Sequence, residues 1–284
     1  MGHMRLPPSE DEIRSRLGDA WPVSGAVDCH AHVFEQGFPF APGRASDPPP
    51  YPLEYYLGWI RALGIARSVQ VTASCYGLDN SATRYALDEC RASGVAARGV
   101  AIIHPEIAEA ELAALARAGF IAARLMASRI ADLGLEDFDA LARRCAPWRW
   151  HLEVNVDDSA SWGELEARLA ASPVPVVFEH LGVRAGEPAD SPGLRALLRL
   201  LDRRPDFAVK LRFPDIAPAA ALLARRHPGR LMWASSLPQA DGGDGDGAPA
   251  WHDLDAIAAA LELLPGDGER ARVFAANAER FYGF

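Results

Sequence analysis

The sequence predicts an α/β fold, a single-domain (β/α)8 TIM barrel, and three observations predict it. Short runs rich in Val, Ile, Leu and Phe alternate with longer segments of Ala, Leu and Arg along almost the whole chain. Alternation of this kind builds a parallel sheet, and eight such units close into a barrel. The chain is 284 residues long, close to the roughly 250 that one such barrel uses. The competing open, doubly wound sheet would carry a glycine-rich phosphate fingerprint after its first strand. None is present.

A polar helix, Pro8–Leu17, comes first, with Ser9 and Glu12 at the spacing of a capping box. The first strand is Ala26-Val27-Asp28-Cys29-His30-Ala31-His32. Residues two apart in a strand share a face, so His30 and His32 are expected to project together. A long loop rich in Pro, Gly and aromatics, Phe34 to Pro52, comes next. Phe38, Phe40, Tyr51, Tyr55 and Tyr56 favour an ordered cover over a site rather than a slack connection.

The rhythm then becomes regular. Predicted helices are Leu53–Leu63, Ser81–Ser93, Ile107–Ala118, Leu135–Cys145, Trp162–Ala171, Gly193–Arg203 and Ile216–Arg226. Each leads into a predicted strand: Arg67–Thr72, Arg98–Ile103, Ile121–Met126, Trp150–Val156, Val174–Glu179, Phe207–Arg212 and Arg230–Ser235. Helices Leu254–Leu263 and Gly268–Phe281 close the chain. The helices are made of strong helix formers, and the strands read as continuous apolar runs because both faces are buried. Met1-Gly2-His3-Met4 reads as a cloning scar, leaving residues 5–284 as one domain. Asp241–Gly247 reads as a flexible loop without the ligand spacing of a calcium site.

Composition narrows the function. A formal net charge of −9 argues against nucleic acid, whose binders neutralise phosphates with basic surface. No run reaches the ~18 apolar residues of a membrane span. Cys29, Cys75, Cys90 and Cys145 lie far apart with no CxxC spacing, which points to free thiols in a reducing cytoplasm. The alanine- and arginine-rich composition leans towards a high-GC bacterial source. Oligomeric state is not legible.

Chemistry in a parallel barrel gathers at the carboxyl ends of the strands. Those ends carry His30 and His32, Ser74 and Tyr76, His104, Arg124 with Arg129 beyond it, then His151, Glu153 and Asn155. Beyond these come Glu179 and His180, Lys210 and Arg212, and Ser235, Ser236 and Gln239. Single members have plain structural explanations: His104 as a helix cap, Lys210 or Glu153 as part of an interior ion pair. Three imidazoles and several guanidiniums at one rim favour a site for a carboxylated small molecule, since arginine grips carboxylates in a bidentate fork.

The ordered set of motifs resembles the amidohydrolase superfamily. It comprises His30-Ala31-His32, His180-Leu181-Gly182, Trp233-Ala234-Ser235-Ser236-Leu237-Pro238-Gln239, and the terminal Asn277 to Phe284. Phe38-Pro39-Phe40-Ala41-Pro42 and Ala73 to Asn80 are most similar to the 2-pyrone-4,6-dicarboxylate lactonase branch. The resemblance implies a (β/α)8 barrel that hydrolyses lactones or related C–O bonds; other branches decarboxylate aromatic acids with zinc. In the lactonase branch no metal is required. There, His30, His32 and His180 would polarise the carbonyl, and Arg124, Arg129 and Arg212 would clamp the substrate carboxylates. Ser74, Tyr76, Tyr51, Asn155 and Gln239 would line the pocket. Any weak zinc site would draw on His30, His32 and His180.

One departure stands out. The resemblance implies an aspartate where this chain has Ser236, and a histidine where it has Gln239. That aspartate would ligate metal or activate water, and a serine hydroxyl alone does neither. Three readings are open. The base has moved to Glu153; or the reaction is a decarboxylation, elimination or rearrangement that needs no activated water; or the pocket only binds a small acid.

Overall fold

The structure, a computed structural model, describes residues 7–183, 186–212, 217–238 and 254–284. Eight parallel strands pair in chain order: β1 (Val27–Ala31), β2 (Arg67–Val71), β3 (Ala96–Ala101), β4 (Phe120–Met126), β5 (His151–Asn155), β6 (Val176–Glu179), β7 (Ala208–Leu211) and β8 (Leu231–Trp233). The crossover helices are α2 (Leu53–Ala62), α3 (Ser81–Ala92), α4 (Glu109–Ala118), α5 (Phe138–Cys145), α6 (Ser161–Ala170), α7 (Pro192–Arg203) and α8 (Ala217–Arg226). A leading helix α1 (Glu10–Leu17) carries the expected box, with Ser9 and Glu12 bonded reciprocally. The predicted barrel is the observed one. No helix among the described residues is long and apolar enough to cross a membrane.

Two apolar layers hold it together. The larger lies between strands and helices and takes in Tyr56, Trp162, Trp233 and Phe274. The smaller fills the barrel with Val27, Cys29, Val69, Val71, Val100, Val177 and Met232, closed by Ala278 and Tyr282. Those last two come from the C-terminal segment. The predicted helix Gly268–Phe281 is in fact α10 (Asp267–Ala271), a π-helical turn (Arg272–Ala276) and α11 (Asn277–Tyr282). Helix α9 (Leu254–Leu263) precedes them. Arg98 holds the carbonyls of Tyr282 and Gly283 at 3.3 and 2.6 Å, and its guanidinium lies 5.1 Å from the Phe284 ring. The chain's end therefore plugs the amino-terminal mouth of the barrel and leaves the carboxyl-terminal mouth for chemistry.

Closure at the first and last strands depends on a buried carboxylate. Asp28 accepts the Ser235 N–H at 2.9 Å and its hydroxyl at 2.6 Å, the Tyr56 hydroxyl at 2.9 Å and the His30 N–H at 3.2 Å. Beyond this point the backbone zips: Ser236 N–H to the His30 carbonyl at 2.8 Å, and His32 N–H to the Leu237 carbonyl at 2.7 Å. Register slips between Asp28 and Ala31, a local irregularity of the kind that re-aims side chains near active sites.

The long loop after β1 is ordered as expected. Phe34 and Tyr51 pair as an antiparallel bridge, and the Ala41 N–H reaches the Cys75 carbonyl at 2.7 Å. Asp28→Ala would strand several buried donors at once, each worth about 1–3 kcal/mol when left unpaired. We expect it to lower the unfolding free energy by about 3 kcal/mol in urea titrations; an unchanged midpoint would remove Asp28 from this role.

Candidate active site

His30, His32 and His180 converge at the carboxyl-terminal mouth. The His30 ring centroid lies 4.7 Å from that of His32 and 4.9 Å from that of His180. His30 Nε2 and His32 Nε2 are 3.1 Å apart. The protons can be placed by elimination. His32 Nδ1 is 2.7 Å from the Val71 carbonyl, which can only accept, so His32 carries its proton on Nδ1. Its Nε2 is then bare, and His30 Nε2–H donates to it. His30 Nδ1 is left as a bare acceptor facing Glu179 Oε1 at 3.6 Å.

Burial and surrounding cations keep all three rings neutral. Burial is the main cause for each. Arg124 adds to it in lowering His32 and His180 to about 3, while His32, Lys210, His180 and Arg124 help to push His30 well below the usual range.

The backbone that presents His180 is unusual. His180, Leu181 and Gly182 have φ of +54°, +65° and +61°, a left-handed turn that only the glycine adopts freely. It is pinned from outside by Trp162 Nε1–H to the Leu181 carbonyl at 2.8 Å and by Ser159 N–H to the Gly182 carbonyl at 2.8 Å. Ser236, at φ +56°, is likewise left-handed, and its Oγ lies 2.9 Å from His180 Nε2.

Beneath the imidazoles lies a fully buried ionic layer. Arg124 Nε donates to Glu179 at 2.9 Å, and Lys210 Nζ to Glu153 at 2.6 Å. Glu153 also accepts from the Tyr282 hydroxyl at 3.1 Å and faces His151 at 3.3 Å. The two acids are pushed apart. Burial opposes charge on Glu153, but Lys210 and then His151 outweigh it and hold that carboxyl well below the usual range. Burial, with the neighbouring Glu153 charge, raises Glu179 to about 7 despite Arg124. A protonated Glu179 would also supply the hydrogen that His30 Nδ1 lacks. The layer then keeps one net positive charge under the site.

The remaining candidates divide. Arg212 lies at the end of β7, and its charge reaches the His180 ring. Asn155 ends β5 beside Glu179 in register. Tyr51 and Tyr76 are buried, the first bridged to Phe34 through the backbone and the second packed on its ring; the Phe34 ring stacks on His32 at 6.3 Å, and Ser74 begins the short turn that ends at Tyr76. Glu153 sits inside the barrel in an ion pair, the plain reading of that residue, and not at the mouth where a displaced base would act. Two placements differ from the expectation. Arg124 is 5 % exposed and commits its guanidinium to Glu179 and the Thr72 carbonyl. Arg129 is turned outward, paired with Glu136 and the Asp132 carbonyl in the β4–α5 connection. Gln239 lies outside the described residues.

Sequence reasoning assigned no role to Glu179 or Asp28. For Glu179 the available signal was an acid ending one strand beside a strand carrying Lys210.

The amidohydrolase family model matches residues 27–284, which span this whole barrel. The chain belongs to that family. Among similar proteins, a 2-pyrone-4,6-dicarboxylate hydrolase of Comamonas testosteroni is 31 % identical over 76 % of this chain and 77 % of its own. A 4-sulfomuconolactone hydrolase of Hydrogenophaga intermedia is 27 % identical over 91 % and 89 %. A D-galactarolactone isomerase of Agrobacterium fabrum is 29 % identical over 91 % of each chain. An apo crystal structure from Agrobacterium tumefaciens superposes with a TM-score of 0.82 at 27 % identity, covering 93 % of this chain and 95 % of that one.

In this amidohydrolase, His30, Glu153 and Glu179 bring potential metal-ligating atoms within 4.8 Å of one another. Both carboxylates already face a cation, so a divalent ion there would sit beside an ammonium and a guanidinium. At the mouth the three imidazoles stand beside the neutral Ser236.

Two measurements test this electrostatic picture. Lys210→Met leaves Glu153 charged and unpaired in the interior and should cost about 3–5 kcal/mol by denaturant unfolding. A smaller loss than about 1 kcal/mol would mean that Glu153 is not held ionised. The second follows thermal stability against pH. His32 and His180, lowered to about 3, contribute fully above about 6.5 and lose that contribution as pH falls towards 3. Glu179, raised to about 7, works the other way: its contribution is present below about 4.5 and is lost as pH rises through 7. The wild type should therefore lose ground to Glu179→Gln between those two pH values, and parallel curves would refute the assignment.

Proposed function

We propose that the chain opens or rearranges the ring of a carboxylated lactone, at a carbonyl bound among His30, His32 and His180, without a metal. The observation that carries this reading is the convergence of three imidazoles above Arg124 and Lys210, in a family whose similar members are named as lactone enzymes. The donor this set can offer is His30 Nε2–H, turned from His32 Nε2 to the carbonyl oxygen; such a neutral donor gains strength as negative charge develops there, and low dielectric magnifies the gain. Arg212, with Arg124 behind it, is the cation we assign to the substrate's carboxylate. The metal-free reading rests on charge: the eighth-strand position beside the imidazoles is the neutral Ser236, and the nearest carboxylates, Glu179 and Glu153, are paired with Arg124 and Lys210.

Hydrolysis and ring rearrangement are separate outcomes of the same carbonyl chemistry. Rearrangement is favoured by Ser236, since an internal hydroxyl of the substrate replaces activated water, and by the relative named as a lactone isomerase. A decarboxylation, a non-hydrolytic elimination or mere binding of a small acid are the alternatives that the same assay separates. We place the enzyme in a reducing cytoplasm because its four thiols are free and buried.

The test is a panel of carboxylated lactones and aromatic acids, followed by NMR for ring opening or migration and by carbon dioxide release. We expect a lactone to be consumed without carbon dioxide, at a rate unchanged by dialysis against a chelator. His30→Asn should lower kcat about 10²- to 10³-fold. Stoichiometric bound zinc that is needed for turnover, or release of carbon dioxide, would overturn the reading.

A further inference from the structure

We propose that Ser236 is a nucleophile activated by His180, and that the ring is opened through an acyl-serine. The proposal rests on the lactone reading above for its substrate class, and on the geometry of these two residues for its chemistry. Ser236 Oγ lies 2.9 Å from His180 Nε2, within the reach that a general base needs to take a hydroxyl proton. Its neighbour cannot take its place. Ser235 is fully buried and commits its hydroxyl to Asp28, while Ser236 is part-exposed at the mouth.

Backbone conformation supports a dedicated site. Ser236 and His180 both hold positive φ, which non-glycine residues adopt at a cost and which clusters where geometry serves function. Each is fixed by a main-chain bond to the neighbouring strand: Ser236 N–H to the His30 carbonyl at 2.8 Å, and His180 N–H to the Lys210 carbonyl at 3.2 Å. Strain on both partners, locked from two sides, brings one hydroxyl and one imidazole nitrogen together. Among the described residues, no carboxylate hydrogen-bonds the His180 ring to orient it. The ring is positioned by its packing on His30 and by the Ser236 contact itself. Arg124, Lys210 and Arg212 bring their charge to this pair. The same cations favour the oxyanion that forms as the proton arrives.

The step balances without another reagent. Ser236 Oγ bonds to the lactone carbonyl carbon while its proton passes to His180 Nε2. The ring C–O bond then breaks, and the departing alkoxide takes that proton from His180. In the second half, water or another hydroxyl of the opened chain attacks the acyl-serine. Its proton passes through His180 to Ser236 Oγ as that bond breaks. Water gives hydrolysis; an internal hydroxyl gives the rearranged lactone. One intermediate thus serves both outcomes, and it needs no carboxylate on the eighth strand.

The test uses the full chain and a fluorophosphonate probe, read by intact mass and peptide mapping. We expect one adduct on Ser236, none in Ser236→Ala, and labelling slowed at least tenfold in His180→Asn. Circular dichroism and thermal melting of each variant establish that it is folded. A folded wild type that is not labelled at Ser236, or is labelled equally in His180→Asn, overturns the proposal. The lactone panel separates it from the broader reading. A lactone consumed equally by the wild type and Ser236→Ala removes the nucleophile and leaves the lactone reading intact. Labelling at Ser236 with no lactone consumed does the reverse. Where a lactone is consumed, Ser236→Ala should slow it at least about 10³-fold, as loss of a nucleophile does elsewhere.

Discussion

The Asp28 carboxylate governs this molecule because it sits on the seam where the barrel closes. Its bonds to Ser235 join residues 207 positions apart, the longest-range closure the sheet has to make. Bringing such distant segments together costs chain entropy that only contacts formed after closure can offset. Asp28 makes two of them, both with Ser235, and takes further bonds from Tyr56 and His30 in the same buried group. The consequence for the site is geometric. With Ser235 turned towards Asp28, Ser236 bonds the His30 carbonyl and faces the mouth, within reach of His180 at the end of β6. Structural closure and assembly of the site are the same event.

Charge decides what the assembled site can do. Two acids and two cations share the barrel interior, and their environments separate them. Glu153 is fixed as an anion by Lys210, with Tyr282 and His151 filling its remaining acceptor capacity. Glu179 has Arg124 on one oxygen and a bare imidazole nitrogen near the other. Titratable neighbours pushed in opposite directions are how one fold keeps an acid and a base side by side. The C-terminal segment takes part, because Tyr282 seals the amino-terminal mouth and reaches up to Glu153. A residue that looks like a tail is thus part of the floor beneath the site.

Much of this was legible from residue order. The period of apolar runs determined eight strand–helix units, and the two-residue spacing of His30 and His32 determined a shared face at a strand end. The string Glu179-His180-Leu181-Gly182 marked a second imidazole position, and Ser236 marked a neutral one on the eighth strand. Local propensity and strand periodicity are properties of short segments, so a linear string records them. The capping box at Ser9 and the ordered aromatic loop belong to the same class.

Partnership was not legible. Sequence order put Glu153, Arg124 and Arg129 together among the polar strand ends. Tertiary structure sent the first to Lys210, the second to Glu179 and the third outward to Glu136. It also made Asp28 the seam and turned the Ser236 hydroxyl to His180. The physical reason is that a charge or a hydroxyl acquires its meaning from its neighbours across strands. Barrel closure selects those neighbours through register and twist, which no single segment contains. The sequence alone determined which groups reach the barrel and its rim; folding decided which of them remain free to act on a substrate.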